Sequence, residues 1–232
     1  MEFEHIYPID TPVVFVLGMS ERCHKLELQL TLREQMVNAG YKVSQVGSRS
    51  YCEMFGFHSM PEYMFTHHYP EHKKVVMFNH FIKAIELKEK PDLIVIGVPG
   101  GLFPFNDEFT NKFGLLAYEI SRAVHPDTAL LSVLYEDYKT EYYAELSKTV
   151  KYRFGVEIDC FNLANVKFDW DGSSQNRMMS YNMIESQYVN EAIKQYDMPH
   201  QPVYNVFCPQ DAENIVNDLL NQLAAYASVQ SV

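Results

Sequence analysis

The chain has no CxxC pair, no apolar run near membrane-spanning length and no excess of basic residues. Its four cysteines, Cys23, Cys52, Cys160 and Cys208, stand far apart, so they read as reduced thiols and not as a disulfide framework or a paired-ligand zinc site. No stretch approaches the roughly 20 apolar residues needed to cross a bilayer. The opening MEFEHIYPID is acidic and has no signal-peptide core, which points to the cytoplasm. With 19 Lys and Arg against 30 Asp and Glu, the formal charge is −11. Nonspecific binding to nucleic acid or to an anionic membrane surface needs a basic face, so neither is an expected partner. There is no internal repeat and no low-complexity linker.

What remains is a chain of 232 residues, 47% apolar and 21% charged, with enough apolar material for a large core. Six apolar segments read as strands: Val13–Leu17, Tyr41–Val46, Leu93–Val98, Ala129–Tyr135, Val156–Phe161 and Val203–Phe207. Most are continuous runs without alternation, the pattern of strands buried on both faces. Helical patterns separate them. The first carries Leu26, Leu30 and Val37 near one stripe with Leu28, Leu32 and Met36 beside it, and stops at Gly40. Others run from Glu71 to Lys88, from Asn106 or Asp107 to Ala123, from Tyr142 to Tyr152, from Met178 to Tyr196, and from Ala212 to Tyr226 with Asp211 as N-cap. This alternation predicts a single α/β domain, a three-layer sandwich around a mainly parallel sheet. Two irregular insertions, near 48–70 and 168–180, follow strands and belong at the carboxyl edge, where α/β sheets bind ligands.

The segment VVFVLGMSERCHKLELQL has the outline of a strand, a loop and a helix. A phosphate loop needs inward backbone N–H groups, a Lys at the helix start and a Ser or Thr next to it for Mg²⁺. Gly18 and Lys25 are present. His24 stands where Gly is usual, and Leu26 cannot ligate a metal. The spacing resembles the phosphate loop of dethiobiotin-synthetase-type P-loop proteins, and PDLIVIGVPGG resembles their Walker-B strand with Gly97 at the Asp position. The resemblance implies a P-loop-NTPase-like fold with a nucleotide or phosphate as ligand, held by Gly18, Lys25, Gly100 and Gly101. It also makes Asn162 and Asn165 candidates for reading a nucleotide base. Losing both metal-holding residues predicts a degenerate site that binds anions without Mg²⁺-dependent hydrolysis. The plainer alternative is that Gly18 only turns the strand into the helix.

More narrowly, GMSERCHKLELQLTLRE, GYKVSQVGSRSYCEMFGFHSMPEYM, PDLIVIGVPGG and YRFGVEIDCFNLANVKFD together resemble the peptide maturation system protein family. That family accompanies radical-SAM enzymes in clusters making modified peptides. The resemblance implies an accessory protein whose partner is a precursor peptide or a maturation enzyme, in a homo- or hetero-oligomer. Two alternatives stay open. One is a nucleotide-dependent ATPase or ligase-like enzyme. The other is a metal- or thiol-dependent peptide-modifying enzyme built on Cys23, His24, Cys52 and His58, with Cys52 and His58 as its catalytic pair. Tyr51, Phe55, Phe57, Tyr63 and Phe65 fit either a partner-contacting lid or an insertion packing a small core of its own.

Overall fold

A computed structural model describes residues 4–49, 51–196, 198 and 200–230. The apolar runs form the centre of a seven-stranded sheet in the order β3-β2-β4-β1-β5-β6-β9, with every neighbouring pair parallel. The strands are β1 (Val13–Gly18), β2 (Val43–Gly47), β3 (His58–Ser59), β4 (Leu93–Gly97), β5 (Thr128–Val133), β6 (Cys160–Leu163) and β9 (Val203–Tyr204). All residues of β1, β4 and β5 are buried, as continuous apolar runs require.

Side chains alternate between two cores. Phe15, Leu17, Ile96, Leu131 and Phe161 pack with Phe78 and Ile82 of α2 (Glu71–Glu89), Ile120 of α3 (Leu115–Ala123) and Tyr143 and Val150 of α4 (Thr140–Phe154). Val14, Val16, Val95 and Leu130 face Leu28, Leu32 and Met36 of α1 (Lys25–Asn38) and Ile215 and Leu219 of α7 (Pro209–Gln230). The fold is a three-layer α/β sandwich with a P-loop-NTPase-like arrangement. On α1 the buried stripe is Leu28, Leu32 and Met36, whereas Val37 is 49% exposed. Each fully buried Leu of that stripe contributes about 1.5–3 kcal/mol.

Several expected boundaries move. The third helix begins at Leu115 and not near residue 106; the Asn106 side chain accepts from the N–H groups of Glu108 and Phe109 as an N-cap would, but the chain turns there without continuing into a helix. Residues 111–114 then form a tight turn before α3 in which Asn111, Lys112 and Phe113 all have positive φ. The stretch from Met178 to Tyr196 is not one helix. It contains strand β8 (Ser180–Met183) and helix α6 (Ser186–Ile193). Strand β8 pairs antiparallel with β7 (Val166–Asp169), and α5 (Trp170–Asn176) joins the two. The insertion near 168–180 is therefore an ordered hairpin carrying a short helix, capped where Asp169 accepts from the Gly172 N–H. The insertion near 48–70 adds β3 to the sheet edge and buries Phe57, Met60 and Met64, leaving Tyr51, Met54, Phe55 and Phe65 exposed.

The N-terminal lead-in is tied to α2. Asn79 exchanges hydrogen bonds with the Tyr7 backbone, and Glu86 accepts from the N–H groups of Asp10 and Thr11. Among the described residues no helix is long and apolar enough to cross a membrane.

Candidate functional site

The loop between β1 and α1 folds back over Gly18. A Cβ there would meet the Lys25 side chain at 2.7 Å and Ser20 O at 2.9 Å, besides the Cys23 sulfur, so only glycine fits. The loop is fastened from beneath. Met19 N–H donates to Ser132 O at 2.8 Å, Cys23 Sγ to Ser20 O at 2.9 Å, and Ser132 Oγ to Cys23 O at 2.5 Å. Among the described residues no backbone N–H from Ser20 to Glu27 donates to another residue; the next donor along the chain is Leu28, which bonds His24 O. A run of N–H groups that reach no other described residue, leading into a helix N-terminus, can form an anion cradle. His24 takes the left-handed conformation, φ 59° and ψ 29°, that glycine supplies at this place in a phosphate loop.

Lys25 is 7% exposed and its ammonium donates to Gly100 O. Burial lowers its pKa; the Cys23 thiol and Glu21 oppose that shift, and the nearby Arg49 charge adds to it. Burial raises the Cys23 pKa despite Lys25. Gly100 has φ +76° with open space around it. Gly101 lies under Asn111, which donates to Met19 O at 2.8 Å and to Phe103 O at 3.0 Å. The structure thus brings Gly18, Cys23, Lys25, Gly100 and Gly101 together at the carboxyl edge.

Two adjoining cavities open there. One, of about 170 Å³, is lined by Lys25, Ser48, Arg49, Gly100, Lys112 and Glu21, among others. The other, of about 350 Å³, shares Lys25, Arg49 and Glu21 and has an apolar wall of Leu26, Tyr51, Val166, Tyr181 and Met183. The β7–β8 hairpin closes the loop from outside. Tyr181 OH and Ser20 Oγ are 2.6 Å apart, the Arg22 guanidinium lies over the Tyr181 ring, and Cys23 packs with Phe109, Val166 and Phe168.

The residues do not fit the Mg²⁺ ion that such a loop ordinarily accompanies. Leu26 carries no oxygen, and the Gln29 side chain occupies the space a side chain on Gly97 would need.

The remaining candidates lie apart from this centre or have internal partners. Asn162 is fully buried; it donates to Ser132 Oγ at 2.8 Å and accepts from Val206 N–H at 2.9 Å, so its amide fastens the sheet and reads no ligand. Asn165 donates to Ser186 Oγ at 2.8 Å, and its side-chain oxygen is buried without a partner. His58 pairs with Glu89 at 2.7 Å. Cys52 is buried behind Gly47 and Phe57, and burial raises its pKa, the opposite of an activated nucleophile. His24 edges onto Phe207 and faces Glu27 at 3.4 Å. Among the described residues no three His, Cys, Asp or Glu side chains converge to hold a metal, so Cys23, His24, Cys52 and His58 form no shared centre. Arg49, Lys112 and Tyr181 escape a reading of the loop motif alone, since each enters from another loop or hairpin. The visible signal for Arg49 is its place just after the carboxyl end of a strand.

No family model matches the chain, and no curated protein matches it. Solved structures do resemble it. One, described as an LAO/AO transport system kinase, is 9% identical over 96% of this chain and 62% of its own, with a TM-score of 0.50. A DUF1611 family protein from Anabaena variabilis is 10% identical over 94% of this chain and 61% of its own, with a TM-score of 0.59. This chain spans about three fifths of the length of either. At such identities the likeness is one of fold.

Proposed function

We propose that this chain binds the phosphate group of a nucleotide-like ligand in the β1–α1 loop and does not hydrolyse it with Mg²⁺. The run of backbone N–H groups from Ser20 to Glu27 that donate to no other described residue, set beside the buried Lys25, carries this reading. A buried cation with an open cradle gains a partner when an anion enters. The P-loop-NTPase-like fold supports a nucleotide as the source of that phosphate. Leu26 and Gly97 argue against phosphoryl transfer, which depends on a metal held beside the phosphates.

We assign the domain an accessory role, with a precursor peptide or a maturation enzyme as partner. The support is the resemblance of the four quoted segments to the peptide maturation system family, together with Tyr51, which lines the larger cavity, and the exposed Met54 and Phe55 of the same insertion. Calorimetry with ADP and with orthophosphate, on the wild type and on Lys25→Ala, tests the binding. Turnover of ATP and GTP is measured alongside. The expected result is binding that Lys25→Ala weakens, with no Mg²⁺-dependent turnover. Robust turnover abolished by Lys25→Ala overturns the non-hydrolytic reading.

A further inference from the structure

The charge around the smaller cavity runs against the charge of the chain. The protein is formally −11, yet this cavity is lined by three cations, Lys25, Arg49 and Lys112, and by one carboxylate, Glu21. Glu21 stands 3.7 Å from Lys112, and both side chains are solvent-exposed, so that pair is screened and easily exchanged. Arg49 makes no ion pair among the described residues and faces Lys25 and Glu21 across the cavity, with Glu27 on the adjoining wall. The Lys25 ammonium has three protons to donate, is nine-tenths buried, and has Gly100 O as its acceptor. Like charges gather here, three cations against the single carboxylate of Glu21 in the cavity lining.

The metal side of the site is closed. Gln29 fills the space beside Gly97, and Leu26 replaces the hydroxyl. A second phosphate brings negative charge that Lys25 alone does not balance. Two further cations are in place, one from the loop after β2 and one from the turn before α3.

We propose that Arg49 and Lys112 supply the positive charge that a metal supplies in an ordinary phosphate loop, so that the ligand is a di- or triphosphate bound without a divalent ion. This rests on the phosphate-binding reading above and goes beyond it in ligand class and in metal independence. Arg49 offers a planar fork suited to phosphate oxygens, and Lys112 offers a mobile point charge. Mg²⁺ then competes with both side chains for the same oxygens and weakens binding.

The test is calorimetry at low salt with orthophosphate and pyrophosphate, in chelator and in excess Mg²⁺. In chelator, pyrophosphate should bind at least about tenfold tighter than orthophosphate, a gap of one factor of ten in Kd. Arg49→Gln and Lys112→Gln should each lower pyrophosphate affinity about tenfold and change orthophosphate affinity far less. Both side chains are exposed, so the variants keep the fold, which thermal melts verify. Mg²⁺-dependent pyrophosphate binding, or unchanged affinity in both variants, overturns the proposal and leaves phosphate binding standing. Failure of both anions to bind under either condition, or binding indifferent to Lys25→Ala, overturns the phosphate reading and this one with it.

Discussion

The side chain of Gln29 stands where any side chain on Gly97 would have to go. Gln29 Nε2 donates to Val46 O at 3.0 Å, and its backbone carbonyl accepts from Gln45 Nε2 at 2.9 Å. Helix α1 is thereby drawn against β2 and β4 at the point where an acid would order a metal. The missing carboxylate and the buried glutamine are two sides of one packing arrangement.

Restoring the acid should fail. Gly97→Asp forces Gln29 out and buries a carboxylate, so a loss of about 3 kcal/mol in chemical denaturation is expected, with no gain in Mg²⁺ affinity. Adding Gln29→Ala should recover part of that loss by making room. A Gly97→Asp variant as stable as the wild type would show that the space is not occupied as described.

His24→Gly should leave stability within about 1 kcal/mol and raise orthophosphate affinity. Glycine removes the left-handed strain, about 1–2 kcal/mol, but forfeits the edge contact with Phe207 and frees the unfolded chain. The imidazole also leaves the mouth of the cradle. A fall in phosphate affinity, read by calorimetry, would assign His24 a contact with the anion.

The packing of α3 on α2 should depend on pH through Glu119. Its carboxyl is buried beside Glu71 and Lys74, and its Oε2 has no partner. Burial first, and then Glu71, push its pKa up to about 7, while Lys74 opposes the shift. Lys74 pairs with Glu71 at 2.8 Å, and His67 adds to the field at Glu71. A carboxyl raised on folding keeps its proton where the unfolded chain has lost it. Its stabilising contribution is thus complete below the ordinary Glu value and is lost as pH rises through about 7. The wild type should lose more stability between about pH 5 and about pH 8 than Glu119→Gln does. Parallel pH profiles of the two in urea titrations would refute the assignment.

The central sheet is legible in the sequence because Val13–Gly18 and Leu93–Gly97 are apolar at nearly every position and need no context to be placed. The fifth strand is read early: Val156 and Ile158 are buried like strand residues, yet they lead up to the strand, which begins at Cys160. The β7–β8 hairpin hides for another reason. Ile184, Tyr188, Ala192 and Tyr196 recur every four residues as a helix would space them, while Ser180–Met183 is held as strand only by its partner β7. In the site, Gly18 and Lys25 follow from spacing alone. Asn162 does not, because a fully buried amide and a base-reading amide look alike until their partners are seen. Lys112 reaches the cavity only through a backbone conformation that its residue type does not favour.

That turn also bears on the order in which the molecule assembles. Asn111 to Gly114 all have positive φ, a conformation no isolated segment of this composition would keep. It is held by Asn111 on Met19 O, a contact spanning 92 positions, and by Arg153 Nη2 on Phe113 O at 2.6 Å. Both anchors exist only after β1, β4 and α4 have come together. The turn is therefore expected to close late in folding. Substitutions at its contacts should speed unfolding and leave the rate of folding almost untouched, which stopped-flow kinetics on Asn111→Ala would check. On that order the cavity would gain Lys112 only once the rest of the fold is in place, so the charge proposed to hold a polyphosphate belongs to the completed fold and not to the β1–α1 loop by itself.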